Sequence, residues 1–431
     1  MRSSPAKLES IIFCVDNVAE FRGCECCQPT FLMVASIELE ICDVSKIFRV
    51  GISLELCSLL PVYAIITMAH SSTRWSLRAL SQLERGSPKT ATTLLETVAD
   101  RLHEQHQACQ KLSEYLASST SASKSALTNI DHLTHVHHDT WMQCHRILDN
   151  GSLLERWSQA DQNYIKSLFA QTRDRHAPAM ERWVDVANDL QDIQAVEHFV
   201  EPILQRRIGI QLLADHYEKL HKSPDMFPHG AVQLSSPLWT SIQDAFTEAH
   251  NIGELHLLAS PDIKKIGDDE SSNNPPAATV VHSWLHHALM EIFKNSIQAV
   301  VEYAQEQVGA SSIDSSTLPP VEVEVTQTLD HYRIDIVDEG TGISSNNVGS
   351  VFEWGRSSAE KRWDRLEEQQ SYAAVRSPLR SLGVGLPLSQ LFMRHFGGDL
   401  TLENNDNKNG CRVKVLVPRN DDILEVEAPK P

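Results

Sequence analysis

The chain has 431 residues, of which 41% are hydrophobic and 22% charged, with a formal net charge of -19. That length accommodates two domains with cores of their own, and the acidic balance without a basic stripe excludes a general nucleic-acid binder. Its most apolar run, Leu59 to Met68, is far too short to span a bilayer.

Six of the nine cysteines (Cys14, Cys24, Cys26, Cys27, Cys42 and Cys57) crowd into the first sixty residues, so the body of the protein is not held by disulfides. Cys24-Glu25-Cys26-Cys27 has no second pair at zinc-ligand spacing and no His among residues 1–67, which argues against a metal site there. Residues 1–67 hold strand-like apolar pieces without a clear period or a secretory pattern, and are read as an extension. From Met68 the composition changes. Arg74, Arg78 and several Ser precede the first acid, Glu84, with Trp75, Leu77, Leu80 and Leu83 as apolar bulk. That is transit-peptide composition, so 68–90 is expected to be a mitochondrial transit segment and Met68 the start of the functional precursor.

Residues 91–228 are expected to form a bundle of at least four helices. Leu95, Val98, Leu102, Gln105, Cys109, Leu112 and Leu116 alternate at three and four spacings along the first helix, which seeks a partner. A Ser/Ala-rich break at 118–125 ends it. Further helices are expected over 130–148, over 161–190 with a kink at Pro178, and over 195–222.

Residues 229–420 read as an α+β sandwich, a mixed sheet with helices on one face, followed by a short acidic tail at 421–431. Ser236-Pro237 resembles a helix start, with Ser as cap and Pro first, running to about His250. Strands at period two are expected over 321–325, 332–337, 400–402 and 413–417. Between them, the helix from His286 to Glu302 carries His287, Glu291, Asn295, Gln298 and Glu302 on one side, with Leu285, Leu289, Phe293, Ser296 and Val300 on the other.

Two glycine motifs follow. Asp338-Glu-Gly340-Thr-Gly342 ends a strand, where glycine lets the backbone approach a ligand and Asp338 can accept a hydrogen bond from an exocyclic amino group. Leu382-Gly383-Val384-Gly385-Leu386 opens a helix whose free N–H groups suit phosphate. In this order the Asn-bearing helix and the two loops resemble the ATP-binding superfamily of histidine kinases, type II topoisomerases, the Hsp90 chaperones and MutL.

Within it the chain is most similar to the mitochondrial 2-oxo acid dehydrogenase kinases, through residues 291–302, 338–342, 351–360 and 383–389, and through Arg175 to Met180 and Arg207 to His216 in the helical half. The resemblance implies a matrix serine kinase that uses ATP and Mg²⁺ to phosphorylate, and so inactivate, the dehydrogenase component of a pyruvate or branched-chain 2-oxo acid dehydrogenase complex. It also implies a homodimer that binds the lipoyl domain of the acyltransferase core. Glu291 would be the general base and His287 would orient it. Asn295 would hold Mg²⁺, Asp338 would read adenine, Ser357 and Ser358 would lie in the nucleotide lid, and Leu382 to Leu386 would wrap the phosphates. The family's pyruvate-specific members end in an Asp-Trp tail, whereas no Trp follows Trp363 here. The alternatives are a histidine autokinase, for which His176-Ala-Pro178 lacks the usual acid, and an ATP-hydrolysing chaperone or repair ATPase.

Overall fold

The computed structural model describes residues 36–40, 49–53, 73–118, 123–149, 158–176, 179–190, 195–222, 225–267, 275–309, 313–344, 348–354, 383–405 and 409–428. It divides into two compact units, residues 1–69 and 70–431. In the first, strands β1 (Ser36–Glu40) and β2 (Arg49–Ser53) pair antiparallel. No described helix is long and apolar enough to cross a membrane.

The second unit starts with a short helix, α1 (Leu77–Ser81), capped by the Ser76 hydroxyl on Ala79 N. Then come α2 (Pro88–Ser118), α3 (Lys124–Asp149), α4 (Gln159–His176), α5 (Ala179–Leu190), a π-helical turn (Val196–Val200) and α6 (Glu201–Lys222). These form the expected bundle: α2 packs on α3 and α6, α3 on α5, and α4 on α6. The heptad stripe of α2 is the reason, since Leu95, Val98, Leu102, Gln105, Cys109, Leu112 and Leu116 are all at most 1% exposed. The single helix expected over 161–190 is instead two, α4 and α5; Pro178 lies outside the described residues.

The expectation of a transit segment through residue 90 meets a different structure. Trp75, Leu77 and Leu80 are buried in one core cluster with Leu94, Leu95 and Ala99 of α2 and Phe169 of α4, so residues 73–90 belong to the folded unit. The same bulky apolar and basic residues that suit a leader also suit a docked segment. Nor is the acidic tail a free one: Asp421 and Asp422 pair with Arg78, and Glu425 is buried.

The α+β part contains β3 (Val232–Pro237), α7 (Leu238–Leu257), β4 (Ile263–Ile266), β5 (Ala277–Val281), α8 (His282–Val308), β6 (Val321–Gln327), β7 (His331–Val337), α9 (Gly385–His395), β8 (Asp399–Asn404) and β9 (Cys411–Pro418). Its five-stranded sheet has the order β4-β6-β7-β9-β8, parallel between β4 and β6 and antiparallel elsewhere. Inward residues of the sheet (Val321, Val323, Ile334, Ile336, Val413, Val415) bury against Leu289, Phe293, Ile297 and Val300 of α8 and Ile242 and Phe246 of α7. The mixed sheet with its helical layer is as expected.

Two details differ. Pro237 closes β3, which pairs with β5, so it precedes α7 as an extended cap and the helix starts at Leu238. The helix also passes His250 to Leu257, because Gly253 fits the close approach of Ile297, and it stops where Leu258 turns left-handed at φ 58.

Candidate active site

Glu291 stands in the third turn of α8. Although its row reads as a polar face, Glu291 is only 6% exposed, as is Lys294, and Lys294 Nζ donates to Glu291 Oε1 at 2.5 Å. Two charges this buried persist only because each has a partner. The other carboxylate oxygen, Oε2, lies against Gly385, where any Cβ would overlap it. Glycine at 385 therefore brings the N-terminus of α9 onto the carboxylate, an arrangement the positive end of a helix favours. Asn295, one turn on, is exposed, and Gln298 Nε2 donates to Glu302 Oε1 at 3.0 Å.

The resemblance gives His287 the task of orienting Glu291, and here the structure corrects the reading. No hydrogen bond joins the two; the imidazole meets Phe392 of α9 edge-on, centroids 5.6 Å apart, and its Nε2 is buried without a protein partner among the described residues. Burial lowers the His287 pKa, outweighing the opposing pull of the Glu291 charge. The ring's described contact is with Phe392, while the Glu291 carboxylate is engaged by Lys294.

Asp338 emerges from β7 and is 3% exposed. Burial raises its pKa, against three hydrogen bonds that favour the anion. Gly340 N (3.0 Å) and Cys411 N (3.1 Å) donate to Oδ1, and Ser296 Oγ of α8 (3.1 Å) donates to Oδ2. A carboxylate has about four acceptor sites, so Oδ2 retains room for one more donor, which fits an adenine amino group. Gly340 is required by contact: a Cβ there would lie 2.6 Å from Ala299 Cβ on α8. Gly342 has φ +68, a left-handed turn. Asn404, at the end of β8, fixes the loop by accepting from Ile343 N at 2.9 Å and donating to Ile343 O at 2.6 Å.

The second glycine loop is described from Gly383, which has φ +72. Val384 caps α9 without any side-chain hydrogen bond, and Leu388 N reaches back to Val384 O at 2.9 Å. Gly385 and Leu386 thus head a helix whose first N–H groups have no side-chain cap, and Pro387 in the first turn removes a donor that would be orphaned anyway. Ser357, Ser358 and Leu382 lie outside the described residues.

The structure brings Asp338, Gly340 and Gly385 against the middle of α8, the stretch from Glu291 to Ala299 that also carries Asn295. Sequence reading missed Lys294, Ser296, Asn404 and Cys411. Lys294 and Ser296 flank Asn295, so helical spacing could have found them; Asn404 and Cys411 are joined only by the β8–β9 register.

Comparison with known proteins relates the part of the chain that holds these residues to an ATPase family. The family described as "Histidine kinase-, DNA gyrase B-, and HSP90-like ATPase" matches residues 281–421. A mitochondrial [pyruvate dehydrogenase (acetyl-transferring)] kinase of Schizosaccharomyces pombe is 30% identical over 230 residues, 51% of this chain and 51% of its own. The kinase of that name from Drosophila melanogaster is 28% identical over 217 residues, 48% of each chain. Human isozyme 1 is 26% identical over 239 residues, 54% of this chain and 51% of its own. The chain spans about half the length of the curated relatives it matches.

Proposed function

We propose, from a chain whose residues 281–421 are a histidine kinase-like ATPase domain and which is a relative of the pyruvate dehydrogenase kinases, that it is a mitochondrial protein serine kinase. It uses ATP to phosphorylate, and so inactivate, the dehydrogenase component of a 2-oxo acid dehydrogenase complex, and the names of its relatives favour pyruvate over the branched-chain acids. The observation that carries this reading is the buried Glu291 carboxylate seated against Gly385 at the head of α9, one turn before the exposed Asn295. A base and a hard oxygen ligand then stand one turn apart on α8 beside the phosphate-binding N-terminus of α9, which is what phosphoryl transfer by positioning and charge neutralisation requires.

In this reading Asp338 takes the adenine amino group and the backbone from Gly383 to Leu386 takes the phosphates, together with Leu382. Ser357 and Ser358 act in the lid over the nucleotide. Asn295 holds Mg²⁺ jointly with the phosphates; among the described residues no three His, Cys, Asp or Glu gather as a metal site of their own. Glu291 takes up the proton of the substrate serine, while His287 packs the base's helix against α9. The protein acts in the matrix as a homodimer and meets the lipoyl domain of the acyltransferase core.

The test is the fate of labelled phosphate when the purified chain is incubated with ATP and pyruvate dehydrogenase. Acid-stable phosphoserine on the dehydrogenase is the expected result. Acid-labile phosphohistidine on the chain itself would make it an autokinase, and free phosphate alone an ATPase of the chaperone or repair kind.

A further inference from the structure

Among the buried charges that the site described above does not use is Glu425. Glu425, 3% exposed, has its carboxylate between Arg101 of α2 and His395, the last residue of α9. The Arg101 guanidinium donates to Oε2, and His395 Nε2 lies 3.7 Å from Oε1. Arg101 is 5% and His395 3% exposed, so all three groups are withdrawn from water. Burial works to raise the Glu425 pKa, yet Arg101 and His395 together bring it below the usual carboxylate value, which keeps it charged at neutral pH.

The backbone around Glu425 joins three parts of the unit. Glu425 N donates to Trp75 O at 2.8 Å, Val426 N to His395 O at 2.8 Å, and Arg74 Nε to Glu425 O at 2.7 Å. Gly209 of α6 makes the meeting of charges fit, since a Cβ there would lie 2.6 Å from Arg101 Nη1 and 3.5 Å from His395. An apolar residue would anchor a terminal segment at lower desolvation cost, so a charge here points to a demand on geometry. From His395 the contacts continue to α8. Trp284 meets His395 edge-on (5.2 Å between centroids, 85°) and stacks on Phe392 (4.7 Å, 13°), and Phe392 touches His287.

We propose that Glu425 is a positioning residue for the nucleotide site: pinned to the bundle by Arg101, it holds the C-terminal end of α9 through His395 and so fixes where Gly385, at the other end, meets Glu291. An eleven-residue helix is a rigid rod of roughly 16 Å, so a displacement at His395 reaches the phosphate loop. The proposal rests on the reading of that loop as the phosphate site.

The experiment measures binding of a non-hydrolysable ATP analogue with Mg²⁺, by calorimetry on the full chain, beside the thermal unfolding midpoint. Glu425→Gln keeps the shape and removes the charge; Arg101→Met with Glu425→Met replaces the pair by apolar side chains and guards against a variant that fails to fold. The expected result is a Kd weakened at least about tenfold in both, with the midpoint of the double variant close to that of the wild type. A double variant that folds and binds within about twofold of the wild type would overturn the proposal, reducing the pair to a stability element. If the wild-type chain itself bound no analogue, the nucleotide-site reading would fall and this one with it; binding by the wild type with unaltered variants would sink only this one.

Discussion

The two buried carboxylates of the site and the apolar seam of the bundle treat polar groups in different ways. Around Asp338 every buried contact is matched, with Gly340, Cys411 and Ser296 all donating to one carboxylate, and Glu291 has Lys294. In the bundle, Gln105 is fully buried on the apolar stripe of α2 with neither amide atom hydrogen-bonded among the described residues, and His216 is fully buried with its Nε2 unpartnered among them. A site that must hold charge and release product needs its polar groups oriented; a helix seam needs only volume and apolar periodicity. The difference predicts that substitutions in the 291–296 stretch of α8 will cost function before stability, and substitutions in the bundle seam the reverse.

The largest effect is expected at Glu291. Glu291→Gln keeps the shape and the helix but cannot take up a proton, so transfer to serine should fall by about 10² to 10⁴ while nucleotide binding persists. Rate measurements on the pure variant check this, and loss of binding in parallel with rate would erase the contrast with the bundle. Gly340→Ala comes next. Its Cβ meets the backbone of Ala299 at 2.7 Å, which a helix cannot yield, so stability should drop by about 1–3 kcal/mol and nucleotide affinity with it. Gly349→Ala, with nothing within 4 Å of its added Cβ, should change neither in the same calorimetric and denaturation runs.

The bundle's own test is acidification. Burial pushes the His216 pKa down to about 3, so below an unfolded value of about 6.5 the unfolded chain binds a proton that the folded chain does not. The contribution is fully present above about pH 6.5 and is lost as pH falls toward 3, by about 1.4 kcal/mol per unit. Urea unfolding at pH 7 and pH 5.5 should show a shallower loss in His216→Gln than in the wild type. Equal slopes would mean that the imidazole does not stay neutral in the fold.

How much of this was legible in the sequence follows from the same division. The α2 stripe could be read residue by residue because a helix seam repeats, and Asp338, Gly340 and Gly385 could be read because a close backbone approach admits glycine alone. The partners of the site could not. Asn404 grips Ile343 across 61 residues of chain, and Cys411 reaches Asp338 only through the β7–β9 register, so no local spacing announces either. His287 misled because i, i+4 geometry permits a contact without choosing between Glu291 and Phe392. The strand β4, Ile-Lys-Lys-Ile, is too short to show a period, and Ser236-Pro237 carries helix-start chemistry that strand pairing overrode. In residues 73–90, composition suggested a leader while burial of Trp75 and Leu80 makes a docked segment.

The central claim is that α8, the loop after β7 and the head of α9 build one nucleotide pocket read by Asp338. The most direct measurement is calorimetric titration of ATP with Mg²⁺ into the wild-type chain and into Asp338→Ala. The account predicts binding by the wild type and a loss of about 1–3 kcal/mol in the variant, since an adenine donor would be left buried without its acceptor. A folded Asp338→Ala chain that binds ATP as tightly as the wild type would contradict it.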